Sequence, residues 1–297
     1  MSDIAAEAGW PRATLDVDYN ARASVALPEF EAATAAYRAL SEPARALPGA
    51  LLDLVYDTAS GQTLDLFGAA PTGAAPRPVF VFIHGGYWRM LSKEDSAFMA
   101  PMLARHGIAT AAVDYRLAPG VSLAEIVREV RAAVAWLWRE ADTLGIDRNR
   151  IYVGGSSAGG HLTGCVMASG WQEAFGLPDA PLAGALPVSG LFHLGPIAAS
   201  FVQEWISLDA EGVAALSPLE HVSPASGCPA VVAWAAGEPA GFSRQSRAYG
   251  AAWQAAGHPT TLMEVPGRHH FDVILELADE ASPLGRALLG LIGAQPS

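Results

Sequence analysis

Gly155-Ser156-Ser157-Ala158-Gly159 sets a serine among small residues in the pattern G-x-S-x-G. A serine hydroxyl becomes a useful nucleophile only when a base takes its proton and an acid orients that base. Five residues alone say little, because chance matches are common in a chain rich in Gly and Ala. Their setting says more. The apolar β-formers at 151–153 precede the pattern, and a helical stretch is expected at 161–169. A serine on a tight strand-to-helix turn is held out above a sheet, and the next amide, that of Ala158, sits at a helix N-terminus. The alternative is a Gly-rich turn with no chemistry. A phosphate-binding loop does not fit, since no Lys-Ser/Thr follows the glycines.

His84-Gly85-Gly86-Tyr87-Trp88 follows the apolar run 79–83. Glycines let backbone amides approach a developing oxyanion. The donors are assigned to Gly86 and Tyr87, with Ala158 completing the oxyanion hole. His84 reads as a structural brace. Tyr87 and Trp88 read either as the edge of an aromatic pocket or as loop packing. With such an elbow, the partners follow in chain order Ser, acid, His. Glu238 comes directly after the apolar run 230–236 and is the favoured acid. Glu220, Asp209 and Asp179 compete from irregular segments. The base is expected in the loop 266–270, where His270 at the mouth of the next helix is favoured over His269. His106, His193, His221 and His258 read as surface or packing residues, and His161 as a support for the elbow helix. Residues 114–119, Asp-Tyr-Arg-Leu-Ala-Pro, read as a charged turn supporting the oxyanion loop. No His/Asp/Glu cluster has metal-ligand spacing, so neither a metal nor another cofactor is expected.

These residues need a scaffold that brings distant loops together. The run 79–83 suits a strand buried on both faces. Further strands are expected at 51–56, 63–67, 109–113, 151–153, 185–188, 230–235 and 260–265. Helices are expected at 95–106, 123–144, 243–256 and 271–277. In the longest, Ile126, Val130, Ala133, Val134 and Leu137 recur at helical spacing. Strand–helix alternation predicts an α/β protein of the α/β-hydrolase fold: a mostly parallel central sheet with helices on both faces. One domain is expected over 1–297. Residues 1–50 read as a peripheral helical segment, with a helix at 30–40 stopped by Pro43 and Pro48. Residues 191–229, with Phe192, Phe201 and Trp205, read as a lid-like or pocket-wall insert, or else as a surface excursion.

The chain has 297 residues, 30 acids against 18 Lys and Arg, and a formal net charge of −12. Nucleic-acid binding is therefore not expected, because phosphate contact needs clustered cations. Cys165 and Cys228 are the only cysteines and read as buried apolar residues. The N-terminus lacks the positive charge and apolar run of a signal peptide, and no stretch is long and apolar enough to span a membrane. The expectation is a cytoplasmic protein acting on a small molecule, with no membrane partner; a homodimer is allowed but not required.

Together these motifs resemble the arylformamidase (kynurenine formamidase) branch of the α/β-hydrolases, near the hormone-sensitive-lipase-like esterases. The resemblance is carried by Tyr19-Asn20-Ala21-Arg22, His84-Gly85-Gly86-Tyr87-Trp88-Arg89 and residues 114–119. It continues through the elbow with His161, Ser217-Pro218-Leu219, Phe242-Ser243-Arg244-Gln245-Ser246 and His270-Phe271-Asp272. It implies a triad of Ser157, Glu238 and His270, an oxyanion loop at Gly86 and Tyr87, and hydrolysis of N-formylkynurenine to kynurenine and formate. Ser156 departs from the His or Asp often found before the nucleophile. His193 stands where relatives often carry an acid. Trp88 and His193 are the residues expected to shape the pocket. The rival readings are a carboxylesterase for short acyl esters and a non-catalytic binding protein of the same fold.

Exchanging the two adjacent histidines separately for Ala distinguishes them. His270→Ala is expected to lose orders of magnitude in turnover and His269→Ala far less, read as steady-state kcat/KM.

Overall fold

Chemistry distributed over four loops depends on how the strands that carry them are ordered. The computed structural model describes residues 4–225 and 227–293; the outer ends of the expected 1–297 domain and Ser226 of the insert lie outside the described residues. Eight strands are described: β1 (Leu51–Asp57), β2 (Gln62–Phe67), β3 (Arg77–Ile83), β4 (Ala109–Val113), β5 (Ile146–Ser156), β6 (Gly184–Val188), β7 (Ala230–Ala235) and β8 (Thr260–Val265). They form one sheet in the order β1-β2-β4-β3-β5-β6-β7-β8. The β1/β2 and β2/β4 pairs are antiparallel, and every pair from β4 to β8 is parallel. The strands that carry the elbow and its partners thus all end at one edge of the parallel part, where ligands bind in open α/β sheets. This is the α/β-hydrolase architecture.

Residues of β3 alternate between two cores. Val79, Val81 and Ile83 face the helices Leu123–Leu144, Ala158–Met167 and Ala240–Ala255. Phe80 and Phe82 face the other side, toward Met102, Leu103 and the helix Pro283–Ile292. Both faces are covered, so β3 reads as an unbroken apolar run rather than an alternation. The long helix Leu123–Leu144 begins where the Ser122 hydroxyl accepts the Glu125 amide at 3.2 Å.

Several elements differ from expectation. The segment 95–106 splits into a 3-10 turn, Lys93–Asp95, and the short helix Ala100–Arg105, which starts around Pro101. The stretch 271–277 forms a 3-10 helix, Val273–Ala278, and the helix Pro283–Ile292 has no counterpart in the sequence-based reading. The helix expected at 30–40 is Leu27–Ser41, preceded by a short helix, Arg12–Asp18. The insert holds the short helices Gly195–Ala198, Gln203–Ile206 and Ala210–Leu216. Among the described residues, no helix is long and apolar enough to cross a membrane.

The elbow helix crosses the end of β3 at backbone contact. A Cβ on Gly159 would lie 2.1 Å from the Ile83 carbonyl oxygen and 2.7 Å from that of His84. Both obstacles are main chain and cannot swing aside. Gly159→Ala is therefore expected to cost about 1–3 kcal/mol or more, measured as a lowered urea midpoint at unchanged slope.

Candidate active site

Ser157 sits on the turn between β5 and the helix Ala158–Met167 with φ 60° and ψ −118°. A non-glycine residue there is strained, and its surroundings must hold it. Its amide donates to the Val188 carbonyl at 2.9 Å, and its carbonyl accepts from the His161 amide at 3.0 Å. The backbone is thereby fixed from β6 on one side and from the helix on the other.

Tyr115 and the elbow brace the loop after β3. The Tyr115 hydroxyl donates to the carbonyls of His84 (2.9 Å) and Gly85 (3.2 Å). Its ring stacks on the His84 imidazole at 4.0 Å between centroids, and His84 Nδ1 lies 3.0 Å from the Gly85 carbonyl. His84 is thus built into the loop. The neighbouring Arg116 holds the turn through Glu125 (2.6 Å) and the buried Glu129. Gly86 has φ 90°, and a Cβ there would meet the Met90 carbonyl oxygen at 2.4 Å. Among the described residues, the amides of Gly86, Tyr87 and Ala158 have no hydrogen-bond acceptor. They lie in the loop and at the adjoining helix N-terminus, where such amides can receive negative charge.

Glu238 and His270 come together through the ends of β7 and β8. Ala236 donates to the Val265 carbonyl (3.0 Å) and Gly237 to the Arg268 carbonyl (2.9 Å). Glu238 Oε2 lies 2.8 Å from His270 Nδ1, and neither side chain is more than 4% exposed. A carboxylate there makes Nδ1 the protonated nitrogen and leaves Nε2 free to accept. The His270 ring also packs 4.2 Å from the Phe242 ring. His269 faces elsewhere. Its Nδ1 accepts from the amides of Phe271 (3.1 Å) and Asp272 (3.3 Å), so it stitches the turn.

Ser157 and His270 open onto one cavity of about 480 Å3. Phe82, Tyr87, Phe98, Phe201, Trp205 and Phe271 give it an aromatic wall. Burial raises the Tyr87 hydroxyl well above the usual tyrosine range, so it stays a neutral donor to the Tyr19 carbonyl. The Trp205 indole donates to the Tyr87 carbonyl at 3.0 Å.

Two expected pocket residues lie elsewhere. Trp88 is fully buried, and its indole donates to His161 Nδ1 at 3.2 Å. His193 Nδ1 accepts the Gly195 amide at 3.1 Å, and its Nε2 lies 3.2 Å from Glu220. Neither borders the cavity, because each side chain is committed to packing or to its own loop. Glu220 is thereby engaged away from His270. The segment 1–50, read as peripheral, supplies Asn20, Arg22, Phe30, Thr34 and Tyr37 to the wall. Its anchors are Arg244, paired with Glu7 and Asp18 at 2.5 Å, and Gln245, which donates to the Tyr19 hydroxyl at 3.2 Å. Gln245 Oε1 also accepts the amides of Phe192 and His193, tying the insert to the same helix. Tyr19-Asn20-Ala21-Arg22 and Phe242–Ser246 were thus the available signals for this wall.

Known proteins resemble this chain over most of its length. A kynurenine formamidase from Danio rerio is 32% identical over 269 residues, 89% of this chain and 89% of that protein. The chain belongs to the kynurenine formamidase family. A second kynurenine formamidase, from Salmo salar, is 33% identical over 258 residues, 85% of each chain. The family model described as BD-FAE matches residues 64–176, the stretch holding the oxyanion loop and the elbow. A solved structure from Silicibacter sp., assigned as a thioesterase, superposes with a TM-score of 0.78 at 28% identity, covering 94% of this chain and 99% of that one. In this member of the kynurenine formamidase family, the aromatic wall is drawn from the N-terminal segment and the insert as well as from the sheet.

His161 shows how tightly the elbow is packed. Trp88 requires Nδ1 to accept, so the proton sits on Nε2, 2.8 Å from the Leu216 carbonyl. Burial lowers its pKa from 6.5 to about 4. Between those values the unfolded chain binds a proton that the folded chain refuses, so stability present above pH 6.5 is lost as pH falls toward 4. His161→Gln is expected to cost about 1–3 kcal/mol at pH 7. Its stability should fall less between pH 7 and 5 than the wild type's, read by urea melts at each pH; parallel declines would point to other groups.

Proposed function

We propose that this chain is a serine hydrolase that cleaves N-formyl aryl amides, with N-formylkynurenine giving kynurenine and formate. The observation that carries the reading is the buried 2.8 Å Glu238–His270 pair, whose imidazole borders, with Ser157, one aromatic-walled cavity. Membership of the kynurenine formamidase family over nearly the whole chain supports the substrate class.

In this reading Ser157 Oγ attacks the formyl carbon while His270 Nε2 takes its proton. Glu238 holds the imidazole and stabilises the cation that forms. The carbonyl oxygen becomes an oxyanion and accepts from the amides of Gly86, Tyr87 and Ala158. The tetrahedral intermediate collapses as the C–N bond breaks, and His270 returns the proton to the leaving arylamine. Water then attacks the formyl ester with His270 again as base. Formate leaves and the Ser157 hydroxyl is restored. A formyl group adds one hydrogen beyond its carbonyl, so acyl size makes little demand on the space at Ser157. The flat aromatic leaving group suits the wall of Tyr87, Phe201 and Trp205.

Turnover of N-formylkynurenine beside p-nitrophenyl acetate tests the proposal, with Ser157→Ala as control. Efficient formamide cleavage that the exchange lowers by roughly a millionfold toward background is the expected result. Ester cleavage without formamide cleavage, equally lost in the variant, would leave a carboxylesterase instead.

A further inference from the structure

Arg22 and Arg89 line the reactive cavity, and both are exposed, so they sit where it opens to solvent. Among the described residues neither is paired with a carboxylate. The Arg89 guanidinium carbon lies 3.8 Å above the Trp205 ring. That of Arg22 lies 4.4 Å from the Phe30 centroid, with one nitrogen donating to the Val25 carbonyl at 2.9 Å. Stacking on a ring fixes the plane of a guanidinium and leaves its edge donors available. The one acid among the cavity residues, Asp95, is already engaged by Arg38 at 2.8 Å and by the Ser92 amide and hydroxyl at 3.2 Å each. Elsewhere on this acidic chain Arg116, Arg128, Arg244 and Arg268 all meet acids. Two cations without acid partners thus line one aromatic cavity, a combination chemically suited to an anion carried by an aromatic molecule.

We propose that Arg89 and Arg22 bind a free carboxylate on the substrate, making the enzyme selective for N-formyl aryl amides that carry an amino-acid tail. The inference rests on the formamidase reading and deepens it. The aryl ring lies against the aromatic wall with its formyl group at Ser157, and the tail reaches the cavity opening. A guanidinium fork matches a carboxylate with two parallel hydrogen bonds, which a lysine cannot reproduce. Arg89 and Arg22 are positioning residues here, acting on the tail and not on the reacting carbon.

The test compares kcat/KM for N-formylkynurenine and for 2-formamidoacetophenone, which keeps the formamide, ring and ketone but lacks the tail. Wild type is expected to prefer the tailed substrate. Arg89→Gln and Arg22→Gln should each shrink that preference roughly ten- to hundredfold, chiefly through KM, with Arg89→Lys recovering only part of it. Equal losses on both substrates in both Gln variants would make the arginines clamps for Trp205 and Phe30, and overturn the inference. So would a wild type with no preference. A second measurement needs no variant: kynurenine should inhibit wild-type p-nitrophenyl acetate turnover more strongly than 2-aminoacetophenone, and equal inhibition would count against the inference. If wild type cleaves the ester but neither formamide, the formamidase reading fails and takes this inference with it. Loss of the tail preference alone leaves that reading intact.

Discussion

The contact between the elbow and the end of β3 governs everything built above the sheet. Gly159 passes so close to the Ile83 and His84 carbonyls that no side chain fits between them. That closeness brings the start of the elbow helix against the oxyanion loop. It thereby puts the Ala158 amide in the same neighbourhood as those of Gly86 and Tyr87. A looser crossing would leave Ser157 on an ordinary turn and separate the donors from the nucleophile. Ser157, next to this crossing, carries a strained backbone with φ 60°. The hydrogen bond from the Ser157 amide to the Val188 carbonyl and the buried Trp88–His161–Leu216 chain hold it in place.

Burial divides labour among similar side chains. His161 is sealed, loses its affinity for protons and acts as a fixed strut. His84 is stacked into the loop it supports. His269 uses its ring to close a turn. His270 alone among these four combines a buried carboxylate partner with an opening onto the cavity. The same logic separates the acids. Glu129 and Glu276 are buried against arginines and hold turns, whereas the Glu238 side chain is fully buried against an imidazole.

Much of the framework was legible because its signals are local. Continuous apolar runs at 79–83 and 230–235 mark strands covered on both faces, and the helical spacing of Ile126, Val130, Ala133, Val134 and Leu137 marks the long helix. The elbow and the Glu238–His270 pairing were legible because each residue lies in the loop that follows a strand. The cavity wall was less so. Arg22, Phe30 and Tyr37 belong to a segment whose Val17 and Leu27 are exposed, so no apolar periodicity separates wall from periphery. Tyr87 and Trp88 are neighbours, yet one side chain enters the cavity and the next enters the core. Both have positive φ, a backbone turn that residue types did not announce. Pro101 shortened the helix expected at 95–106, and the 3-10 form of Val273–Ala278 follows from contacts of the last loop, where Glu276 binds Arg268 and the Leu284 amide.

Trp205 faces the cavity, stacks under Arg89 and bonds to the Tyr87 carbonyl. The peptide it grips belongs to the loop whose amides face the nucleophile. A replacement that reshapes the cavity at Trp205 therefore also loosens that loop. Over evolutionary time, substrate range and rate cannot drift independently at this position. Thr34, whose hydroxyl bonds only to carbonyls of its own helix, carries no such coupling. Diversification among descendants of this chain should accumulate at positions of the second kind and be purged at the first.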